Sequence, residues 1–332
     1  MSTITQPKRE YLYDNIRGIL ILLVVLGHAL EYFRLDNKVG AFIYVFIYLF
    51  HMPVFIFISG YFSKNLAKGR ATAVETFLVP YLLLNLILSL IMLAIGKIDA
   101  FMILSPGWTL WYLYCMFIWR LLLPDLVKVR RILILSFIVG IFSGFLTEFG
   151  TYMAMARTLG FLPYFLAGYF TDRSLLEKIY HWRWRKIISI GIIILGLIVA
   201  YVWVQSDLPP EILWRDRSFL LFKLPLYQNI LDNILLYLVG FAFVFVFISL
   251  AAPRPHFFTS WGQKTLTIYL LHVYLVAPLV ELTEAVKNPL LHLILLVAGT
   301  FLILYLLSRP KVTTTLQKTL ARILHFIMPN HE

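Results

Sequence analysis

The sequence predicts an all-α, polytopic transmembrane helical bundle of about ten spans with both termini cytoplasmic. Three observations carry that expectation. Of the 332 residues, 61% are hydrophobic and 14% charged, against roughly 25% charged in ordinary soluble domains. Apolar runs of bilayer-crossing length, roughly 17 to 25 residues, recur from near the start of the chain to near its end. Lys and Arg collect in alternate connections between those runs, as cytoplasmic loops do. Together these exclude a water-soluble fold, and the net charge of +12 reads as topology rather than as a nucleic-acid surface.

Taken in order, with Pro, Gly and charges as breaks, the first five spans fall near 16–34, 40–62, 76–96, 108–123 and 132–148. The remaining five fall near 155–170, which is short, then 187–204, 226–250, 265–286 and 290–308. Residues 1–15 form a cytoplasmic amino-terminal segment, 16–308 a single membrane domain, and 309–332 a basic amphipathic cytoplasmic tail. MSTITQPKRE is followed by no small-residue cleavage site, so the first run is a retained helix. Cys115 is the single cysteine and sits in an apolar context, so the chain offers no internal disulfide, cysteine zinc cluster or redox pair. No internal repeat is visible.

Charge sets the orientation. Lys8 and Arg9 precede the first span; Lys64, Lys68 and Arg70 follow the second; Lys128, Arg130 and Arg131 follow the fourth. Arg173, Lys178, Arg183, Arg185 and Lys186 follow the sixth, Arg254 and Lys264 the eighth, and Arg309, Lys311, Lys318 and Arg322 the tenth. The opposite loops hold fewer, along with Asp207, Glu211, Asp216, Glu281 and Glu284. In YHWRWRK (180–186) aromatic and basic residues alternate, which suits a headgroup boundary. From Leu316 on, Leu320, Ile323, Leu324 and Ile327 recur at helical spacing around Lys318 and Arg322, as in a helix lying on the inner leaflet.

Ionisable groups inside spans are expensive, on the order of 2.5–3.5 kcal/mol at mid-bilayer, and are functional candidates by default. In DNIRGILILLVVLGHALEYF, Arg17 and His28 stand eleven residues apart. At about 100° per residue they share one helix face, roughly 16 Å apart along the axis. Arg17 then sits near the cytoplasmic surface and His28 at or just beyond the membrane's middle. The plain alternative for Arg17 is a snorkelling anchor. His51, followed by Pro53, and His272 in TLTIYLLHVYLV fall at similar depth in their own spans and would line one polar site if those helices adjoin. Each is equally read as a packing histidine bonded to a nearby carbonyl. Asp232, Asn233 and Asn85 suit interhelical hydrogen bonds, Glu148 an outer span end, and Trp108 and Trp111 an aromatic belt. The sequence contains no Walker loop, dinucleotide fingerprint, HExxH or serine-centred elbow.

The first helix, with Arg, ten residues and His, resembles that of the membrane acyltransferase-3 family. FHMPVFIFISGYF, FLVPYLLLN, WTLWYLYCMF, LGFLPYFLAGYF and LTIYLLHVYL resemble its later helices in order, so the likeness runs over nearly the whole chain. The Phe-His-Met-Pro and Val-Pro-Tyr pieces are most similar to the sugar O-acetylase branch, akin to fucose 4-O-acetylase. The resemblance implies O-acyltransfer in a bacterial cytoplasmic membrane. An acyl group, acetyl by this branch, passes from cytoplasmic acyl-CoA to a hydroxyl of a cell-surface or lipid-linked saccharide. His28 is the expected base or nucleophile, and Arg17, oriented by Asp14, the expected donor-phosphate or oxyanion contact. Asp14, His51, Ser59, Trp108, Tyr112 and His272 complete the candidate substrate-binding set. Expected partners are the bilayer, acyl-CoA and the saccharide acceptor, with no bound cofactor, no metal and no nucleic acid.

The sequence departs from the family in two ways. Many members carry basic residues just before the third-helix proline, whereas ATAVETFLVP has only Arg70 well upstream and Glu75 nearby, so no donor contact transfers to that segment. The chain also lacks an appended hydrolase-like domain, which would leave any second transfer step to a separate extracytoplasmic transferase. A transporter or flippase of a lipid-linked saccharide uses the same buried His, Arg and Asp, but the halves show no repeat symmetry. A sensor or binding module is the third reading, and no fused enzyme domain supports it.

Overall fold

In the computed structural model, residues 11–99, 101, 103–145, 150, 152–206, 208–222 and 225–327 are described. Lys8, Arg9, Glu148 and Asp207 lie outside these residues. Every described regular element is a helix. Among the described residues six helices are long and apolar enough to cross a membrane, or seven if one bent pair is a single span. Each of the ten expected spans contains helix, but three of those helices are short.

The chain begins with α1 (Tyr11–Ala29), a one-turn α2 (Phe33–Asp36), α3 (Lys38–Tyr48) and α4 (His51–Tyr61). The last two make one 24-residue apolar stretch interrupted at Leu49 and Phe50. The interruption precedes Pro53, which has no N–H for the Leu49 carbonyl. A short α5 (Leu66–Ala71) leads into a π turn (Val74–Leu78) and α6 (Val79–Ala94), with Pro80 in its first turn. Next come α7 (Trp111–Leu126), α8 (Ile132–Phe142) and α9 (Met155–Phe170), of 16, 11 and 16 residues. These are shorter than the roughly 20 residues a perpendicular crossing needs. An amphipathic α10 (Arg173–His181) is followed by α11 (Arg185–Gln205) and α12 (Leu226–Leu250). Then α13 (Thr259–Gln263) precedes α14 (Thr265–Leu271) and α15 (Val273–Glu284), which bend by 52° at His272. The His272 imidazole engages the Tyr269 carbonyl of its own helix at the bend, a side-chain insertion of the kind that kinks helices. Finally α16 (Pro289–Leu307) and α17 (Pro310–Ile327) close the chain.

Burial sorts these helices into a centre and a rim. The apolar windows of α1 and of α3–α4 are 61% and 72% buried, those of α11 and α16 only 17% and 28%. Around α1 pack α3, α4 and α13 to α16. The exposed faces of α6, α8, α11 and α16 carry Ile87, Ile138, Ile194 and Leu302, an apolar rim that water would not tolerate on this scale and lipid does.

Two close crossings hold the centre. Gly60 of α4 faces the Phe165 carbonyl of α9, and Gly168 of α9 faces the Phe57 carbonyl of α4, each leaving no room for a Cβ. Each glycine opens a Gly-Tyr-Phe triplet (60–62 and 168–170). Gly262 sits equally tightly on the Asp14 carbonyl. Small residues at such contacts replace the hydrophobic drive that lipid removes.

Asn85, expected to bond between helices, instead accepts from Gly107 N at 2.8 Å and anchors the loop before α7. Asn233 bonds within α12, to the Asn229 carbonyl at 3.0 Å, and Asp232 is half-buried beside it. Trp182 and Trp184 are exposed between α10 and α11, with Arg183 over the Trp184 ring. In the tail, Val312, Leu316 and Leu320 pack against the bundle while Phe326 is 87% exposed.

Candidate active site

A cavity of about 190 Å³ opens beside the end of α1. It is lined by His28, Glu31, Tyr48 and His51, and also by Trp108, Trp111, Arg157, Trp214 and Asp216. His28 lies in the last turn of α1, not midway along it. α1 ends at Ala29, whereas the apolar pattern ran on to residue 34.

His28 Nδ1 is 3.3 Å from Glu31 Oε2, and Trp108 Nε1 donates to that oxygen at 2.6 Å. Trp108 reaches it with a left-handed backbone (φ 35°), a conformation a bulky residue holds only when its surroundings impose it. The aromatic-belt expectation for Trp108 is thus corrected: its indole is a cavity wall and a hydrogen-bond donor. Burial by itself would raise the carboxyl of Glu31, in the turn beyond α1. The hydrogen bonds and charges of His28, Trp108 and Arg34 outweigh it and hold the group below its ordinary value. An ionised Glu31 accepts a hydrogen bond from His28 Nδ1–H, which leaves the Nε2 lone pair for chemistry.

The other two histidines are held in the same tautomer. His51 Nδ1 donates to the Ile47 carbonyl at 2.8 Å and His272 Nδ1 to the Tyr269 carbonyl at 2.7 Å; a carbonyl only accepts, so Nδ1 carries the hydrogen in both. The His272 ring centroid is 5.5 Å from that of His28, and Tyr48 lies edge-on to both His28 and His51, at 6.4 and 4.7 Å. His272 itself is not a lining residue, and its buried Nε2 has no hydrogen-bond partner among the described residues.

The remaining candidates lie apart from the cavity. Arg17 Nη2 is 3.0 Å from Asp14 Oδ1, and its guanidinium lies 4.9 Å over Phe62. Gln263 donates to Asp14 Oδ2 at 3.3 Å. Ser59 and Tyr112 share a 2.7 Å hydrogen bond, and the Tyr112 ring meets Tyr269, a cavity wall, at 5.2 Å. The site therefore has two stations on one helix, with Ser59 and Tyr112 bonded to each other outside the cavity.

Sequence reasoning missed Glu31, Tyr48, Arg157, Trp214 and Asp216. Glu31 carried a signal: it stands three residues after His28, one helical turn on. Arg157 carried one as well, as a lone charge in a predicted span. Trp214 and Asp216 come from a loop, and only folding brings them here.

Residues 10–309 match the acyltransferase domain of the acyltransferase-3 family. The chain belongs to that family. Two curated relatives are both named nodulation protein NolL. The one from Sinorhizobium fredii is 45% identical over 60 residues, 17% of this chain and 16% of the relative. The one from Mesorhizobium japonicum is 30% identical over 140 residues, 37% of this chain and 38% of the relative. The matched stretches thus span well under half of either relative. No solved structure matches this acyltransferase-3 chain. It carries the family's acyltransferase domain on helices long and apolar enough to cross a membrane.

Proposed function

We propose that this acyltransferase moves an acetyl group from cytoplasmic acetyl-CoA to a hydroxyl of a cell-surface or lipid-linked saccharide, in a bacterial cytoplasmic membrane with both chain ends inside. The observation that carries the reading is the Trp108–Glu31–His28 chain at the wall of a cavity, with the His28 Nε2 lone pair left for a substrate proton. In the proposed step, Nε2 takes the proton of the acceptor hydroxyl as its oxygen attacks the thioester carbonyl. The C–O bond forms, the C–S bond breaks, and the proton passes from His28 to the leaving CoA thiolate. Glu31 stabilises the imidazolium between those events.

Arg17, about one and a half nanometres back along α1 by helical rise, is suited to the phosphates of a donor entering from the basic side of the membrane. Its ion pair with Asp14 keeps the guanidinium oriented. The alternating Lys and Arg loops support that orientation.

The test is purified protein in liposomes given acetyl-labelled acetyl-CoA and a panel of methyl glycosides. Label is expected on a glycoside with wild type, and none with His28→Ala, which should remain inserted and folded. Wild-type protein that transfers nothing, or His28→Ala that transfers normally, overturns the proposal; a transporter gives the first result.

A further inference from the structure

The cavity that holds His28 is also lined by a charged group that the transfer chemistry does not use. Arg157, in the first turn of α9, lines the cavity although its side chain is only 13% exposed. Its Nε donates to the Trp214 carbonyl at 3.0 Å, and its Nη2 is 3.5 Å from Asp216 Oδ2. Arg217 grips the same carboxylate with two hydrogen bonds of 2.8 and 3.0 Å. One edge of the Arg157 fork is thus fixed, and its Nη1 has no partner among the described residues.

The loop that supplies these contacts is itself built in. Trp214 Nε1 donates to Tyr44 Oη at 2.8 Å, and Glu211 pairs with Arg34 at 2.9 Å. Arg215 holds a left-handed turn (φ 50°) and points away onto the Gly160 carbonyl and the Tyr237 ring. Its neighbours Trp214 and Asp216 both line the cavity. A buried ion pair costs desolvation that its own attraction only partly returns. Fastening a loop does not require it, since Trp214 and Glu211 already do so. An oriented guanidinium between indole walls is instead what a saccharide asks for, with apolar edges for its C–H faces and a fixed donor pair for its hydroxyl oxygens.

We infer that Arg157 is the acceptor-recognition residue, its Nη1 edge hydrogen-bonding ring hydroxyls of the saccharide, with Asp216 as the positioning residue that sets the fork. This rests on the saccharide-acetylation reading above. It divides the cavity into a reacting wall, His28 and Glu31, and a reading wall, Arg157 with Trp111 and Trp214.

The experiment measures Arg157→Gln, Arg157→Lys and Asp216→Asn in liposomes with labelled acetyl-CoA and methyl hexosides and deoxyhexosides. Acceptor KM, donor KM and acceptor-free hydrolysis of acetyl-CoA are read separately. Loss of a charged hydrogen bond should raise acceptor KM about ten- to a hundredfold for Arg157→Gln. Donor KM and acceptor-free hydrolysis should change less than acceptor KM does, with a smaller rise in acceptor KM for Asp216→Asn. Arg157→Lys, which keeps charge but not the fork, should fall nearer Gln than wild type. An unchanged acceptor KM, or an equal loss of hydrolysis and transfer in folded Arg157→Gln and Arg157→Lys, overturns the inference and leaves the transferase intact. Wild type that acetylates no glycoside overturns the reading beneath it.

Discussion

Replacing Glu31 by Gln removes one negative charge and little else, because a Gln carbonyl oxygen can still accept from both Trp108 Nε1 and His28 Nδ1. The carboxylate lies 3.3 Å from His28 Nδ1, and the two side chains are 17% and 13% exposed. At that separation two unit charges attract by about 5 kcal/mol at an effective dielectric of 20. Cavity water and the retained neutral hydrogen bond reduce what is lost. A charge-assisted hydrogen bond is worth about 1.5–3 kcal/mol, so about 2 kcal/mol of imidazolium stabilisation should disappear. That corresponds to a roughly thirtyfold lower kcat. The interaction is strongest once His28 is protonated, so the loss belongs in kcat, with both KM values nearly unchanged. The assay is CoA thiol release by the purified variant under saturating donor and acceptor, beside a thermal unfolding curve in detergent. A Glu31→Gln enzyme within about twofold of wild-type kcat, folded and with normal KM values, would refute the assigned role.

Two further outcomes test other parts of the molecule. Arg17→Ala should raise the apparent KM for acetyl-CoA about tenfold or more, the loss of one charged phosphate contact, while acceptor KM holds; an unchanged donor KM in membranes counts against the two-station arrangement. Gly168→Ala places a methyl against the Phe57 carbonyl and within 2.9 Å of the Tyr61 nitrogen, so it should cost about 1–3 kcal/mol of stability and lower the unfolding midpoint in detergent. A midpoint equal to wild type would mean that α4 and α9 do not cross this closely.

What could be read before folding, and what could not, follows from the range over which each feature is encoded. Arg17 and His28 lie on one helix, and helical pitch is a local property, so their shared stripe was legible from spacing. Glu31 was equally local, one turn beyond His28. Trp108 was misread as a belt residue because indoles at span ends usually meet lipid headgroups. Its left-handed backbone and its bond to Glu31, 77 positions away in the chain, have no sequence signature. The length of α8 was misjudged for a related reason: the apolar pattern ran to residue 148 whereas the helix ends at Phe142, because hydropathy reports which residues avoid water, not where the backbone stops being helical.

By itself the sequence determined that this protein is built of membrane helices, and that Arg17 and His28 share one face of the first of them. Each of these depends on residue type and near-neighbour periodicity. Only the tertiary structure decided that His28, His51 and His272 meet around Tyr48 and Tyr269, and that Asn85 ties down a loop. It also decided that Arg157 and Asp216, 59 positions apart, pair and line the same cavity as His28. Those associations are set by glycine-lined helix crossings and by a loop fastened through Trp214 and Glu211, contacts between segments far apart in the chain. A pattern of hydropathy and charge along one dimension leaves the pairing of such segments undetermined, since many pairings bury the same apolar stripes, and close packing selects one.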